Sequence, residues 1–140
     1  MDYLQNSLTT VKTAYREWDK KKPVDQSKNY RNSNSFMKRK NESELILAKY
    51  PTRIPIIVER YNKSVPEIDR KKYLVPDDLT MANFLYVIRK RLKMRAERSL
   101  FLFVNEKLVR MSQTMVGIYD KNKDEDGFLY IKYCEESTFG

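Results

Sequence analysis

The chain has 140 residues, of which 41% are hydrophobic, so it is long enough and apolar enough for one folded domain with a single core. It contains no histidine and one cysteine, which excludes imidazole-based catalysis, the common zinc sites and an internal disulfide. Its 28 Lys/Arg against 19 Asp/Glu give a formal net charge of +9, which favours acidic peptides or an anionic membrane surface as partners.

The first predicted element is an amphipathic helix over residues 4–18. Five apolar residues recur at helical spacing and share one face of it: Leu4, Leu8, Val11, Tyr15 and Trp18. This face indicates either docking on the rest of the domain, which we favour, or contact with a membrane or partner. Residues 19–35 are polar and rich in Asn, Ser and Lys, so they are predicted to form a linker.

The next two elements are a helix and a strand. Ser35 is a good helix-capping residue, and the helix is predicted to continue to about Tyr50, where Pro51 ends it. Residues 54–60 are rich in β-branched side chains and are predicted to form a strand. Pro55 restricts that stretch to a sheet edge, a bulge or the start of a strand, because it lacks an N–H group.

The remaining elements alternate strands with helices. A short strand is predicted at residues 72–76, and Thr80 is predicted to cap a helix that ends near residue 95. Two strands, a short helix and a last strand follow, over residues 99–104, 108–111, 114–119 and 127–134. Without the two N-terminal helices, this order is that of a ubiquitin-type β-grasp. The predicted fold class is therefore α+β, a ubiquitin-like β-grasp with additional N-terminal helices.

The chain finishes in a short polar tail that ends on Gly140. Glycine has no Cβ, so such a terminus can enter a narrow enzyme channel and act as an acyl donor. This is the physical logic of ubiquitin-like modifiers, whose C-terminus is activated and joined to an amine. Gly140 is therefore a candidate conjugation site, which the rest of the sequence has to support.

Other kinds of chemistry find no support in the sequence. There is no Gly-rich phosphate loop, and the paired carboxylates Asp77 and Asp78 lie in a turn-like context, so no enzymatic activity, metal site or cofactor is expected. The basic residues are not interleaved with exposed aromatics, so nucleic acid is not an expected partner. No apolar run reaches the ~18 residues of a membrane span, and no signal-peptide region is recognisable, so a cytoplasmic location is expected.

Five blocks of the sequence carry a more specific pattern. They are KYPTRIPIIVE at residues 49–59, DRKKYLVPDDLT at 69–80, IRKRL at 88–92, SLFLFVN at 99–105 and DGFLY at 126–130. Together they closely resemble the GABARAP-type autophagy ubiquitin-like modifiers. The resemblance covers residues 36–140, with the blocks in family order.

The resemblance implies a protein without catalytic activity of its own. In this family a cysteine protease exposes the C-terminal glycine and also removes the conjugate, and E1-, E2- and E3-like enzymes attach the glycine to phosphatidylethanolamine. The conjugated form then lies on the autophagosomal membrane and recruits cargo receptors and adaptors through short aromatic-x-x-aliphatic peptides. Phe139 matches the aromatic residue that the family places before this glycine, here Gly140.

The resemblance also implies two peptide-binding pockets beside the strand at residues 72–76, whose free edge would accept the peptide as an added strand. The aromatic pocket would be lined by Glu42, Ile46, Pro55, Lys72, Leu74 and Phe128. The aliphatic pocket would be lined by Tyr73, Val75, Pro76, Leu79, Phe84 and Val87. Acidic residues of the peptide would contact Arg53, Arg70 and Lys72. The alternatives are core packing for Ile46, Val75, Phe84 and Val87, and a solvated charge run for Arg70 and Lys72.

The predicted organisation divides the chain at residue 35. Residues 1–35 form an extension with the amphipathic helix and the polar linker, and residues 36–140 form the modifier domain with its conjugating tail. The rival function is a ubiquitin-like adaptor that binds microtubules or membranes and is never conjugated, because basic N-terminal helices also suit acidic tubulin tails.

Overall fold

The computed structural model describes residues 24–135, so the helix predicted at 4–18 and the predicted conjugation site Gly140 lie outside the described residues. After a 3₁₀ turn at Gln26–Lys28, the elements are α1 (Tyr30–Ser33), α2 (Phe36–Lys49), β1 (Arg53–Arg60), β2 (Lys72–Pro76), α3 (Met81–Leu92), β3 (Phe101–Val104), β4 (Lys107–Leu108), α4 (Met115–Asn122) and β5 (Leu129–Cys134). Each helix and strand predicted from residue 35 onward is present, with differences at the ends. Within this part of the chain no helix has both the length and the apolar character needed to cross a membrane.

The five strands form one mixed sheet in the order β2-β1-β5-β3-β4. The two central strands, β1 and β5, pair in parallel, with Ile56 opposite Leu129, and the other pairs are antiparallel. The first and last strands, β1 and β5, therefore lie side by side. On their outer sides β2 pairs with β1, and β3 pairs with β5. The helix α3 packs against one face of this sheet through its buried side. This arrangement confirms the predicted α+β, ubiquitin-like β-grasp.

Side-chain alternation gives the sheet two different faces. The main core on one face contains alternate residues of β1 and the buried side of α3: Ile54, Ile56, Val58, Met81, Phe84 and Ile88. The opposite face carries a smaller cluster, in which Ile57 of β1 packs with Tyr30 and Phe128. The helices α1 and α2 cover this second face. The two candidate peptide pockets were predicted beside the edge strand β2. They therefore belong to opposite faces of the sheet.

The helix starts agree with the predictions because they depend on local chemistry. Ser35, Thr80 and Thr114 cap α2, α3 and α4, and each side chain accepts a hydrogen bond from the backbone N–H three residues later. The end of α3 differs from the prediction. This helix ends at Leu92 because Lys93 adopts a left-handed conformation with φ of 56°, and its N–H closes the last turn.

Pro55 is the third residue of β1, an interior strand of the sheet, so it lies near the start of the strand and not on an edge. Pairing with β5 begins only at Ile56, the next residue, so Pro55 precedes the stretch in which β1 needs donors toward both neighbours. A proline is therefore compatible with a central strand at this point.

The strand predicted at residues 108–111 is shorter than expected and consists of Lys107–Leu108. The two residues between β3 and β4 both have positive φ, 51° and 64°, as tight two-residue hairpins require. Beyond the hairpin the chain leaves the sheet. The carbonyl oxygens of Met111 and Gln113 accept hydrogen bonds of 3.0 and 2.9 Å from the first turn of α3. These carbonyls satisfy helix N–H groups instead of extending the strand.

The described part of the predicted linker, residues 24–35, is largely helical and packs on the sheet. Tyr30 is 8% exposed, and its backbone N–H donates a hydrogen bond of 2.9 Å to Glu59. The Arg31 guanidinium lies 2.9 Å from Asp124. The structure differs from the linker prediction because one buried aromatic ring anchors an otherwise polar segment. The division of the chain at residue 35 stays a prediction.

A buried ion pair joins α2 to the turn before β5. Arg39 Nη1 lies 2.5 Å from Oδ2 of Asp126, whose side chain is fully buried. The same carboxylate accepts hydrogen bonds from the backbone N–H of Phe128 at 2.8 Å and from the hydroxyl of Tyr130. The hydroxyl of Ser43 donates to the Asp126 carbonyl oxygen. These bonds fix α2 and Phe128, which both belong to the candidate aromatic pocket.

We expect Asp126→Ala to lower the free energy of unfolding by about 3 kcal/mol, because it removes the nearer and fully buried carboxylate of Arg39 and leaves the guanidinium with Asp124 at 3.7 Å. The matched control is the exposed neighbour Glu125→Ala, which should stay within about 0.5 kcal/mol of the unmodified protein. Urea unfolding followed by circular dichroism measures both. Equal stability of the two variants would show that the buried pair does not hold this turn.

Candidate peptide-binding groove

The strand β2 lies at one end of the sheet and pairs with β1 alone among the described residues. Its outer edge therefore carries backbone N–H and C=O groups that no strand within residues 24–135 pairs. Five residues of strand span about 16 Å, enough for a four-residue peptide motif. An exposed edge of this kind can accept an extended peptide by strand addition.

Successive side chains of β2 point to opposite faces of the sheet. The ring of Tyr73 packs edge-on against Phe84 of α3, with centroids 5.7 Å apart, and Val75 belongs to the main core. Lys72 points the other way, and its ammonium lies 2.6 Å from Glu42 of α2. The edge of β2 thus has a surface on the α3 side and another on the α2 side.

The predicted aromatic-pocket residues lie together on the α2 side. They are Glu42, Ile46, Pro55, Lys72, Leu74 and Phe128. Leu74 is opposite Pro55 in the strand register, and Ile46 packs against the cluster that contains Phe128. Phe128 and Pro55 are buried, while Lys72 is exposed. The arrangement has an apolar floor and a polar rim, which is the usual composition of a ligand pocket.

Two members of this cluster were not among the predicted residues. Tyr30 packs edge-on against Phe128 with ring centroids 5.5 Å apart, and Ile57 is fully buried beside them. The signals were available but weak. Tyr30 is the sole aromatic in the polar run 19–35, and Ile57 follows Pro55 by two residues and so shares its face of the strand.

Tyr30, Glu42 and Lys72 form a polar chain on the rim of the pocket. The Tyr30 hydroxyl donates a hydrogen bond of 2.5 Å to one carboxylate oxygen of Glu42, and Lys72 binds the other at 2.6 Å. The Lys72 ammonium also lies 5.1 Å from the centre of the Tyr30 ring. Burial opposes ionisation of Glu42, but the bonds from Lys72 and Tyr30 outweigh it and hold the pKa of the carboxyl below its usual value. Burial and the bond to Glu42 raise the pKa of Tyr30.

The predicted aliphatic-pocket residues differ widely in exposure. They are Tyr73, Val75, Pro76, Leu79, Phe84 and Val87. Phe84 is fully buried and Val75 is 8% exposed, which agrees with the core-packing alternative for both. Val87 is 39% exposed, so core packing does not account for it. The accessible part of this surface therefore consists of Tyr73, Leu79 and Val87, above a floor of core residues, whereas Pro76 is exposed and by alternation shares the face of Lys72 and Leu74.

The hydroxyl of Tyr73 is the buried polar side-chain atom without a hydrogen-bond partner among the described residues. Burial raises the pKa of this tyrosine. An unmade bond of this kind costs stability, so the hydroxyl itself does not hold the strand in place. The ring is the part of Tyr73 that packs against Phe84. Substitutions can therefore test the ring and the hydroxyl separately.

The three cationic residues predicted to meet acidic peptide residues are not at one place. Lys72 is the first residue of β2 and Arg70 precedes it by two residues, and both are exposed. Arg53 is opposite Pro76 in the register, at the other end of the strand. Four residues of strand correspond to about 13 Å. The structure therefore brings Arg70 and Lys72 together and separates Arg53 from them.

Comparison with known proteins agrees with the observed fold and identifies the family of the chain. The family described as "Autophagy protein Atg8 ubiquitin like" matches residues 38–140. Autophagy-related protein 8 of Mycosarcoma maydis is 53% identical over 112 residues, which cover 79% of this chain and 95% of that protein. Autophagy-related protein 8e of Arabidopsis thaliana is 54% identical over 112 residues, covering 79% and 92%. The crystal structure of Trypanosoma brucei ATG8 superimposes with a TM-score of 0.75 at 45% identity, covering 83% of this chain and all of that one.

The β-grasp, with its central helix and first and last strands paired in parallel, defines the class of ubiquitin-like proteins. Within that class, the chain belongs to the Atg8 ubiquitin-like family. It is therefore an autophagy modifier of the kind that is conjugated to lipid and acts at autophagosomal membranes.

We expect Glu42→Gln to lower the free energy of unfolding by about 1 kcal/mol at pH 7, because it removes a charge that Lys72 and Tyr30 bind. Since folding lowers the pKa of Glu42, the stabilisation is present above the ordinary value of 4.5 and is lost as the pH falls through the lowered pKa. The difference between variant and unmodified protein should therefore shrink toward pH 3.

Chemical unfolding at a series of pH values checks this expectation, with the exposed Glu44→Gln on the same helix as the control. A cost that does not change with pH, or an equal cost for the control, would contradict it.

Proposed function

We propose that this Atg8-family chain recruits receptors by binding aromatic-x-x-aliphatic peptides along the free edge of β2. The observation that carries the proposal is the edge strand itself, with a surface of different chemistry on each side of it. The backbone of the strand supplies affinity, and the two pockets supply the choice of side chains.

The spacing of the motif fits the geometry of a strand. In an extended peptide, residues three positions apart point to opposite faces, because successive side chains alternate. An aromatic residue that enters the α2 side therefore puts the aliphatic residue on the α3 side. Their separation along the strand is about 10 Å, which lies within the length of β2. Motifs with the two anchors two or four positions apart would place both on one face and should bind poorly.

The positions of the two pockets favour one direction of the peptide. The aromatic side is centred near Lys72 and Leu74, and the aliphatic side extends toward Pro76 and Leu79. A peptide with its aromatic residue first would thus run in the same direction as β2. Acidic residues before the aromatic would then lie near Arg70 and Lys72, whereas Arg53 would meet residues around the aliphatic anchor.

The rim of the aromatic pocket includes Tyr30. Its ring covers Phe128 and its hydroxyl is held by Glu42, so an incoming aromatic side chain packs beside Tyr30 or displaces it. In either case Tyr30 contributes to the choice of peptide. The position of Tyr30 supports this role, because the residue is 8% exposed and packs in the same cluster as Phe128 and Ile57.

We further infer that Gly140 is the conjugation site, joined to phosphatidylethanolamine by E1-, E2- and E3-like enzymes and released by a cysteine protease. Family membership and the absence of a Cβ at this residue support the inference. The chain itself then has no catalytic role. It is cytoplasmic before conjugation and lies on the autophagosomal membrane afterwards. Within the family, the five sequence blocks favour the GABARAP type.

We expect Gly140→Ala to abolish conjugation and to leave peptide binding unchanged, because the acyl relay takes only the unbranched terminus while the groove lies on β2. Reconstitution with E1- and E2-like enzymes, ATP and phosphatidylethanolamine liposomes, scored by gel shift, measures conjugation. Normal conjugation of the alanine variant would contradict the assignment of Gly140 as the conjugation site. If the unmodified chain itself fails to conjugate, the adaptor function that binds microtubules or membranes becomes the better account.

We expect combined Tyr73→Ala and Leu74→Ala substitution to weaken an aromatic-x-x-aliphatic peptide by about 2 kcal/mol or more, because both side chains are anchor contacts of the groove. Tyr73→Phe is the matched variant, since it keeps the ring and removes a hydroxyl without a partner, and it should bind normally. Leu108→Ala on the opposite edge strand controls for general loss of apolar surface. Calorimetry gives the affinities, and circular dichroism verifies folding. Unchanged affinity of the folded double variant would refute the groove.

A further inference from the structure

A second concavity lies on the sheet face that α1 covers, around the first residues of the described chain. One wall is the segment that contains the 3₁₀ turn Gln26–Lys28, and the other is the end of β1 with the connection that follows it. Its volume is about 280 Å³, close to that of cavities that hold small ligands. Val24 and Ile68 provide the apolar part of its lining, and most of the rest is charged.

Cations outnumber carboxylates in this lining. The five cationic residues are Lys28, Arg60, Lys63, Lys71 and Lys132. The three carboxylates are Asp25, Glu59 and Glu67. The cations come from separate parts of the fold: the 3₁₀ turn, the end of β1, the connection to β2 and the strand β5. A concave surface with excess positive charge raises the local concentration of anions.

The carboxylates of the cavity already have partners. Asp25 accepts hydrogen bonds from the backbone N–H and the hydroxyl of Ser27, at 3.0 and 2.7 Å. Glu59 accepts the backbone N–H of Tyr30 at 2.9 Å and lies 3.6 Å from the ammonium of Lys71. Glu67 lies 3.8 Å from the same ammonium. The negative charges therefore cap the 3₁₀ turn, hold α1 and neutralise Lys71.

Three of the cations remain without an acidic partner among residues 24–135. Lys28 and Lys63 are exposed and form no ion pair there, and Arg60 makes one hydrogen bond of 3.3 Å, to the carbonyl oxygen of Val65. The ammonium of Lys132 lies 4.0 Å from the carboxylate of Glu106, which is the longest distance that counts as an ion pair. Ammonium and guanidinium groups are the side chains that bind phosphate oxygens best.

We propose that this cavity, the basic cavity, binds a small ligand that carries two or more phosphate groups, of the inositol phosphate class. The cations line a cavity of about 280 Å³ from four separate parts of the fold, and a ring with several phosphates presents anionic oxygens in several directions at once. The same chemistry occurs in a free inositol phosphate and in the headgroup of a phosphoinositide lipid. The experiment distinguishes these two sources.

The test uses the full chain, with inositol trisphosphate as the soluble probe and calorimetry as the measurement. The cavity variant is Lys28→Gln with Lys63→Gln, which removes two charges and no hydrogen bond within residues 24–135. The control is Lys107→Gln with Lys121→Gln, which removes the same charge from exposed residues outside the cavity. We expect the cavity variant to bind at least about tenfold more weakly, and the control to stay within about twofold.

Two results would overturn the proposal. One is no saturable binding of the probe by the unmodified chain up to about 1 mM, a concentration at which a specific site should fill. The other is an equal loss in both variants, which would indicate attraction by net charge alone. Unchanged melting temperature of both variants, together with retained peptide binding, ensures that a loss of affinity is not a loss of fold.

Vesicles identify the source of the ligand. We expect the chain to sediment with vesicles that contain a phosphoinositide bisphosphate more than with phosphatidylserine vesicles of equal charge, if the lipid headgroup is the ligand. The cavity variant, but not the control, should lose this preference. Binding of the soluble probe without a preference among vesicles would support a free inositol phosphate instead. A preference for the phosphoinositide vesicles that the cavity variant keeps would overturn the proposal, because the preference would then arise outside the basic cavity.

Discussion

The parallel pairing of β1 with β5 is the constraint on which the rest of the structure depends. Residues 53–60 and 129–134 are far apart in sequence, so their pairing closes a long loop and costs chain entropy before it gains contacts. The gain comes from burial, since five consecutive residues of β1, from Ile54 to Val58, are buried. A strand of this composition requires cover on both faces of the sheet. The helix α3 covers one face, and α1 and α2 cover the other.

The need for a second cover explains why the groove has two unlike sides. The α3 side is the main core, and only its margin at Tyr73, Leu79 and Val87 is accessible. The α2 side is a thin layer in which Phe128 and a few neighbours pack beneath charged groups. Its position is fixed by Asp126, which binds the side chain of Arg39 and the backbone of Phe128. A chain with one covered face would have no such pair of unlike surfaces at the edge of β2.

The sequence predicted those parts of the molecule that depend on neighbouring residues. Caps such as Thr80 and the strand at 72–76 follow from local chemistry, and the pocket residues followed from family blocks that include that strand. Contacts between distant segments were not accessible in the same way. Nothing in the sequence near Tyr30 indicates that its ring reaches Phe128. Helical spacing does not define where the buried side of α3 ends, so the sequence did not decide whether Val87, which is 39% exposed, is a core residue. The family resemblance grouped Arg53 with Lys72, but the strand register separates them.

Tyr30 connects the two candidate sites through different parts of one residue. Its backbone N–H is held by Glu59, which lines the basic cavity, and its hydroxyl is held by Glu42, which lines the aromatic pocket. The ring between them packs on Phe128 and is approached by Lys72. Glu59 also lies near Lys71, the neighbour of Lys72 on the way into β2. An anion that draws Lys71 away from Glu59 therefore changes the forces on α1, and α1 carries the ring that borders the peptide pocket. Because binding free energies are reciprocal, any change that the anion makes in the affinity for peptide would be matched by an equal change that the peptide makes in the affinity for the anion.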